Sequence, residues 1–240
     1  MLSWNDWRFV APTKPEQYWL YILLPLILMI FYLSISHGMQ WDEQIQQLFF
    51  NSQDGEWFID KQNKWLRALF YYGFKYTIMA FGILLVLVVF YSFATRSSKE
   101  SSIDYDALLF VIVSLAIIPS ITAGLKYLTG IACPYQLQPY GGVIEYRPGL
   151  HFVWPNGLSR PRCFPAGHPS GGFALLALVP VVKYKKIMLG FVLLIGAIMS
   201  FYQIARGAHF VSHCVVTFCL AISLLAIIHY CIHSIRLKKK

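Results

Sequence analysis

The amino-acid sequence predicts an all-α, polytopic membrane protein with six transmembrane helices and with both termini in the cytoplasm. Two observations predict this fold class. Of the 240 residues, 57% are hydrophobic and only 13% are charged, whereas a soluble domain of this length carries about a quarter charged residues. The apolar residues are gathered into long runs, several of which approach the roughly 20 residues that a bilayer core requires. Because lipid cannot satisfy an open strand edge, the runs are predicted to be helices.

Six apolar runs predict the six transmembrane helices. They cover residues 18–36, 69–94, 107–125, 172–182, 187–204 and 210–232. The fourth run is short, and it reaches a spanning length only if the helix begins near His168. The chain has no linker rich in Gly and Ser and no internal repeat. Residues 1–240 are therefore predicted to form a single membrane-embedded domain.

The distribution of basic residues predicts the orientation, because cytoplasmic loops are enriched in Lys and Arg. With the N-terminus inside, the cytoplasmic segments carry eleven of the twenty basic residues, and the first outer loop holds five acids against three bases. The net charge of +9 is therefore attributed to membrane orientation. No basic patch interleaved with aromatic residues indicates a nucleic-acid partner. The inside basic residues are Arg8, Lys14, Arg96, Lys99, Lys183, Lys185, Lys186, Arg236 and Lys238–Lys240.

Two loops are long. Residues 36–67 repeat apolar and aromatic residues at helical spacing, and this loop is predicted to lie at the membrane interface with its three tryptophans as headgroup anchors. Residues 127–165 form the second loop, which contains Cys133 and Cys163. In an oxidising compartment a disulfide between these cysteines would close a loop of about 30 residues and stabilise the fold by about 3 kcal/mol. Two free thiols are the alternative.

Ionisable residues are found where three of the predicted helices begin or end. In the predicted topology all of them lie on the outer side, and ionisable groups at such depth are costly and usually functional. Each alone has a structural explanation, such as a snorkelling lysine, a helix cap or an interface anchor. Their joint placement on one leaflet favours a shared site. The residues are Lys126 at the end of the third helix, Gly167 and His168 at the start of the fourth, and Arg206, His209 and His213 at the start of the sixth.

These residue types fit phosphoryl transfer. A transferring phosphoryl group needs positive charge on its equatorial oxygens, an in-line nucleophile and a proton donor for the leaving oxygen. Lys126 and Arg206 can supply the charge, and backbone N–H groups around Gly167 can bind oxygens at a helix N-terminus. Two histidines can divide the roles of nucleophile and general acid. Since histidines and fixed cations suffice for this chemistry, neither a metal nor another cofactor is expected.

Three short segments resemble the motifs of a known family. They read KYLTGIACP at residues 126–134, PAGH at 165–168 and YQIARGAHFVSH at 202–213. With these three segments in this order, the sequence resembles the type 2 phosphatidic acid phosphatase / vanadium haloperoxidase superfamily, in its membrane-embedded lipid-phosphatase branch. The motifs of that family are Lys-x6-Arg-Pro, Pro-Ser-Gly-His and Ser-Arg-x5-His-x3-Asp. The resemblance covers the six-helix layout and about residues 126–220.

The resemblance implies a role for each matching residue. Lys126 would contact the phosphate, and Gly167 would donate its backbone N–H to a phosphate oxygen. His168 would be the general acid for the leaving group. His209 would be the nucleophile, forming a phosphohistidine that water hydrolyses. The implied protein is a phosphatase, or a phosphotransferase, that acts on a lipid phosphate at the outer leaflet of the cell inner membrane, with its active site facing the periplasm.

Four positions depart from the family motifs. Cys133 stands where the first motif has Arg, and Ala166 stands where the second has Ser. Arg206 lies three residues closer to the nucleophile than the family arginine, whose position holds Gln203, although a long side chain can bridge that gap. His213 replaces the Asp that orients the nucleophile. A neutral imidazole can accept one hydrogen bond but brings no negative charge.

Arg162 is the candidate that would replace the missing arginine of the first motif. A disulfide between Cys133 and Cys163 would draw Arg162 toward the end of the third helix. A solvated loop arginine is the alternative. Arg147 and Arg160 belong to the same basic loop.

Two other functions stay open. The altered motif positions allow a catalytically degenerate member of the same fold that binds lipid without turning it over. The i, i+4 spacing of His209 and His213 is that of many zinc sites and allows a metal-dependent membrane hydrolase, with His168 as a third ligand. However, no Glu or Asp accompanies this pair, and the one acid of the second loop is Glu145.

Overall fold

A computed structural model describes residues 17–94, 104–147 and 160–237, and most of these residues are helical. The first half contains α1 (Tyr18–Met39), α2 (Trp41–Gln47), the strands β1 (Phe50–Asn51) and β2 (Glu56–Trp57), α3 (Lys64–Leu66), a π-helical segment (Arg67–Gly73) and α4 (Phe74–Ala94). The second half contains α5 (Tyr105–Thr129), two 3-10 turns (Pro134–Gln136 and Gln138–Tyr140), α6 (Gly167–Ala174), a 3-10 segment (Leu175–Leu178), α7 (Lys185–Ala205) and α8 (Val211–Leu237).

Five helices within the described ranges are long and apolar enough to cross a membrane. This confirms the predicted helical fold class with several candidate membrane spans. The six-helix count and the cytoplasmic termini stay predictions. Of the residues used for the orientation, Arg8, Lys14, Arg96, Lys99 and Lys238–Lys240 lie outside the described residues. The five candidate spans are Tyr18–Met39, Lys64–Ser92, Tyr105–Gln136, Lys185–Ala205 and Val211–Ile235.

The fourth predicted run is not one of these five spans. In this region α6 has eight residues and passes into the 3-10 segment Leu175–Leu178. Both pieces lie in the interior, packed against α5, α7 and α8. Gly172 permits this packing, because a Cβ there would lie 2.9 Å from the sulfur of Met199 and 3.2 Å from the Cα of Gly196. Small residues allow such close approach between helices in membranes. The start of α6 is thereby held inside the protein.

The main apolar core lies between α5, α6 and α8. Phe110 and Ile118 of α5, Ala174 of α6 and Leu225 of α8 are all fully buried in it. The α1 helix packs along α8. By contrast, α4 exposes large apolar side chains along its length, including Leu84. The α4 surface is therefore available to lipid.

The first long loop folds back onto the protein. The strands β1 and β2 pair antiparallel, with Phe50 opposite Trp57. The Trp57 ring lies 4.9 Å from the Phe50 ring and 5.6 Å from the Tyr140 ring, centroid to centroid. The predicted headgroup anchoring is therefore wrong for Trp57, because other aromatic rings of the protein take up its apolar face. Trp65, in contrast, is 85% exposed.

A disulfide joins Cys133 and Cys163, whose Cα atoms lie 5.1 Å apart. Next to it, the backbone N–H of Cys163 donates to the carbonyl of Ile131 at 3.0 Å. These two links attach the segment before α6 to the chain that leaves the end of α5. The disulfide thus brings two of the three motif segments together.

Removing the disulfide is expected to destabilise the protein. A loop of this length, with a sequence separation of 30, corresponds to roughly 3–4 kcal/mol on the chain-entropy model. The double variant Cys133→Ser, Cys163→Ser should therefore unfold at a temperature lower by about 6–16 °C. Thermal unfolding in detergent measures this, with the exposed free cysteine variant Cys231→Ser as the control. An unchanged midpoint in the double variant would contradict the expectation.

Candidate active site

One open cavity of 1120 Å³ lies between α4, α5 and the start of α6. It is closed on a third side by the connection between α7 and α8. Six of the seven predicted site residues line this cavity, and His213 does not. The six residues are Lys126, Arg162, Gly167, His168, Arg206 and His209. The three helix ends singled out in the sequence therefore meet at one place.

Lys126 and Gly167 stand face to face at the base of the cavity. Lys126 lies in the last turn of α5, and Gly167 is the first residue of α6. A Cβ placed on Gly167 would lie 3.7 Å from the Lys126 ammonium nitrogen. The N-terminus of a helix carries a partial positive charge and free N–H groups. The Lys126 ammonium and this helix terminus therefore both direct positive potential into the same space. This arrangement suits a bound anion.

His168 is held by the π-helical segment that precedes α4. Its ring stacks on Tyr71 with centroids 4.5 Å apart and an angle of 4° between the planes. Its Nε2 lies 3.1 Å from the backbone oxygen of Phe70. Because a carbonyl oxygen only accepts, Nε2 carries a proton and donates it. Residues 67–73 were not predicted to contribute to the site; π-helical turns recur at functional sites, but sequence periodicity does not reveal them.

His209 and His213 are both buried, with 4% and 2% of their surface exposed. Their ring centroids lie 5.7 Å apart. The Nδ1 atom of each ring is buried without a hydrogen-bond partner among the described residues. His213 packs edge-on against the rings of Phe164 and Phe210 and lines a separate cavity of 80 Å³ on its far side. It therefore backs His209 rather than facing the large cavity.

The two arginines lie on aromatic rings. The Arg206 guanidinium carbon lies 5.7 Å from the Tyr71 ring centre and 5.4 Å from that of Tyr202, and Nη1 lies 3.4 Å from the Tyr202 hydroxyl. The Arg162 guanidinium lies 4.8 Å from the ring centre of Tyr127, the residue after Lys126. Arg162 thus stands beside the end of α5, the region toward which the disulfide was expected to draw it. Aromatic faces hold these cations without neutralising them.

Gln203 occupies the position of the family arginine. It is buried, and its backbone oxygen accepts from the N–H groups of Ala208 at 2.8 Å and His209 at 3.2 Å. These bonds shape the turn that carries Arg206 and His209. The Gln203 carbonyl therefore supports the backbone of His209, while the positive side chain in this turn is that of Arg206, three residues further on.

Residues 40–61, called the strap below, bind the connection between α7 and α8. The Gln46 side chain donates to the Ile204 carbonyl at 2.9 Å, and the Ile59 N–H donates to the Ala205 carbonyl at 3.1 Å. The Trp57 ring covers Gly207, whose φ of +68° requires glycine and where a Cβ would overlap that ring. The strap therefore fixes the backbone on which Arg206 and His209 are carried.

Asp42 of the strap caps α8. Its carboxylate accepts the Ser212 N–H at 2.9 Å, which satisfies one of the free N–H groups at the start of that helix. Burial raises the pKa of Asp42, while hydrogen bonds from Ser212 and Val211 oppose the rise. Asp42 was not predicted from the sequence, because a capping residue usually lies just before its helix, whereas Asp42 lies 170 residues upstream of its partner.

Neutral imidazoles are favoured in this cavity. Burial lowers the pKa of His168 to about 4, and the charges of Arg206, Lys75 and Lys126 act in the same direction. Burial also lowers the pKa of His209 well below its usual range. Across the described part of the lining there is no Asp or Glu. A bound anion would therefore raise the pKa of these rings and favour their protonation.

A family model described as the PAP2 superfamily matches residues 107–236. The chain belongs to the PAP2 superfamily. No curated protein and no solved structure matches the chain. This PAP2-superfamily membership, together with the membrane-length helices, indicates a phosphatase-type membrane enzyme. The strap, residues 40–61, lies outside the matched residues. The family model therefore does not describe the contacts of the strap with the α7–α8 connection.

Replacing Asp42 tests the strap. Asp42→Ala should lower the free energy of unfolding by about 1 kcal/mol, the usual cost of a lost helix cap. The same variant should lower turnover, because α8 begins just after His209. Asp42→Asn keeps an oxygen that accepts from Ser212 and should retain most of both. Thermal unfolding and initial rates measure the two effects, with Glu56→Ala, an exposed carboxylate of the same strap, as control. Equal behaviour of the Ala and Asn variants would contradict the capping role.

The buried neutral His168 makes stability depend on pH. Its pKa is about 4 in the folded protein and about 6.5 when unfolded, so the unfolded chain binds the extra proton first as pH falls. This stabilisation is fully present above pH 6.5 and is lost as the pH falls toward 4. The loss of stability amounts to about 2 kcal/mol at pH 5. His168→Phe, which keeps a ring against Tyr71, should lose less stability between pH 7 and pH 5 than the wild type. Thermal unfolding at both pH values decides this, and identical losses would refute it.

Proposed function

We propose that this protein removes a phosphate from a lipid phosphate at the outer leaflet, through a phosphohistidine intermediate. One observation carries the proposal: the cavity that contains the cations and imidazoles continues into an apolar groove between α4 and α5. A phosphoryl head and a hydrocarbon chain can therefore be bound together. The corresponding location is the inner membrane, with the cavity facing the periplasm.

The groove has the dimensions of a lipid chain. Along the π-helical segment and α4 its lining extends from Tyr71 to Leu87, a helical rise of about 24 Å. Beyond Lys75 the α4 wall of the groove is apolar, and a water-soluble phosphate ester would gain nothing from burying that surface. The groove therefore supports a lipid rather than a soluble substrate. Its aliphatic walls comprise Ile78, Met79, Ile83 and Val86 of α4 and Ile112, Leu115, Ala116 and Pro119 of α5.

In the first step, His209 attacks phosphorus. Its Nδ1 is buried, which leaves Nε2 as the nitrogen available to the cavity. A P–N bond forms while the P–O bond to the lipid breaks. The negative charge on the equatorial oxygens is stabilised by Lys126, the Gly167 N–H and Arg206. Arg162, beside Lys126, supplies the charge that Cys133 does not.

The leaving oxygen takes its proton from His168. Since Nε2 donates to the Phe70 carbonyl, the transferred proton comes from Nδ1. His168 must then be doubly protonated in the complex, although burial favours its neutral form. A phosphate dianion beside the ring raises its pKa, so that the ring takes up this proton from water when the substrate binds. Substrate binding and acid activation are therefore coupled.

In the second step, water attacks the phosphohistidine. His168, now neutral at Nδ1, accepts a proton from that water, the P–N bond breaks, and orthophosphate is released. His213 stands behind His209 and orients it through packing. A lipid hydroxyl or phosphate in place of water would make the same enzyme a phosphotransferase.

The two alternatives have less support. Within the described ranges, no group of three His, Cys, Asp or Glu side chains is arranged to hold a metal ion. His209 and His213 therefore have no third ligand beside them there. A degenerate lipid-binding protein would not need a nucleophile, a proton donor and a cation set around one cavity, and all three line it.

Phosphate release from a panel of lipid phosphates tests the function. Purified protein in mixed micelles should release orthophosphate from at least one member, and His209→Ala should lower the rate by about 1000-fold or more. His233→Ala, near the other end of α8, is the control and should keep the wild-type rate. A chelator should leave the rate unchanged. A loss of activity with chelator favours the metal-dependent hydrolase, and no release from any lipid favours the degenerate protein.

A bulky residue in the groove tests the lipid chain. Ala116→Trp places an indole in the groove and should raise KM for a long-chain lipid phosphate by roughly tenfold or more. The same variant should leave hydrolysis of p-nitrophenyl phosphate, which has no chain, within twofold of the wild type. Ile117→Trp, exposed on the neighbouring position of α5, is the matched control. Equal loss of activity toward both substrates in Ala116→Trp would contradict binding of the lipid chain in this groove.

A further inference from the structure

Lys61 is a cation that the proposed reaction does not use. It belongs to the strap, and its ammonium lies 3.5 Å from the ring centre of Tyr135 and 5.7 Å from that of Trp57. Tyr135 itself lines the large cavity, and its N–H donates to the Gly207 carbonyl at 3.0 Å. Lys61 does not itself line the cavity but lies against a residue of its wall, next to the turn that carries Arg206; this position is called the rim below.

Lys61 and Arg206 are like charges that repel one another. Burial and, to a smaller extent, the Arg206 charge together lower the pKa of Lys61 to about 8. In the described ranges, neither residue takes part in a salt bridge, the ion pair found there being Arg147 with Glu145. The Arg206 Nε is buried and has no hydrogen-bond partner among the described groups. Aromatic faces are weak partners for two such cations, so an anion between them would be strongly stabilised.

The cavity also holds more positive charge than one phosphate neutralises. Besides Lys61 at the rim, five cationic side chains line it, and the lining as described contains no carboxylate. A phosphate monoester carries at most two negative charges. An excess of one sign in a cleft attracts further anionic groups. The five cations are Lys75, Lys126, Arg160, Arg162 and Arg206.

We propose that Lys61 and Arg206 form a second phosphate-binding subsite at the rim of the cavity, beside the reacting one. The proposal rests on the proposed function and refines its substrate. The ligand is a phosphate oxyanion, which has two sources. It is either a second phosphate on the same lipid head, as in a lipid diphosphate, or free orthophosphate held on its way out.

Lysine substitutions test the subsite. Lys61→Ala removes the ammonium, Lys61→Arg keeps the charge, and Lys64→Ala removes an exposed lysine of α3 as the matched control. The substrates are a polyprenyl monophosphate and a polyprenyl diphosphate with the same chain. KM and kcat are measured for each, together with the inhibition constant of orthophosphate.

The two sources give different results. If the subsite binds a second phosphate of the substrate, Lys61→Ala raises KM for the diphosphate by about tenfold, leaves KM for the monophosphate within twofold, and Lys61→Arg restores the wild-type value. If it binds released orthophosphate, Lys61→Ala raises the inhibition constant by about tenfold and leaves both KM values unchanged. No change in any constant, or an equal change in KM for both lipids, overturns the subsite.

Direct binding separates this inference from the proposed function. Isothermal titration of the purified protein with pyrophosphate and with orthophosphate requires no turnover. Tighter binding of either anion to the wild type and to Lys64→Ala than to Lys61→Ala supports the subsite even if no lipid is hydrolysed. Equal binding to all three proteins overturns the subsite even if lipid phosphates are hydrolysed normally.

Discussion

The architecture depends on holding two centres of positive potential against each other: the ammonium of Lys126 and the amino end of α6. Neither is favourable in a buried place without an anion, since a desolvated charge of one sign must find a partner. The surrounding protein holds them in place. Gly172 lets α7 approach and enclose α6, the disulfide ties the entrance of α6 to the exit of α5, and the strap fixes the turn that bears His209. The energy of packing thus maintains an electrostatic arrangement that only a ligand can satisfy.

Aromatic rings, rather than carboxylates, support the cations of this cavity. Tyr71 carries both Arg206 and His168, and Tyr127 carries Arg162. A carboxylate would orient these groups more firmly, but it would also cancel their charge and compete with the phosphate. A π face orients a cation and leaves its N–H donors free for the ligand. This choice explains how a site that has Cys133 in place of the motif arginine keeps its positive character.

The sequence was sufficient to predict the features that depend on local pattern. Long apolar runs predicted the helices. Ionisable residues at the ends of those runs predicted Lys126, His168, Arg206 and His209 as site residues, because both patterns can be recognised from neighbouring residues in the sequence. It was not sufficient where distant segments meet. Asp42 caps a helix that begins far downstream, Gln46 bonds Ile204 across 158 residues, and the π-helical turn that supports His168 has no periodic signature. The length of α6 could not be predicted from the sequence pattern either, because a helix buried among other helices need not be long enough to cross the bilayer on its own.

The bond between Cys133 and Cys163 has a consequence for when the cavity becomes complete. Thiols stay reduced in the compartment where chains are made and are oxidised only after they leave it. Until then, the segment that leads through Arg162 to α6 is attached to α5 by weaker contacts alone. The cavity is therefore complete only once these two thiols have been oxidised, so the last step of its assembly is a covalent one that folding alone does not supply.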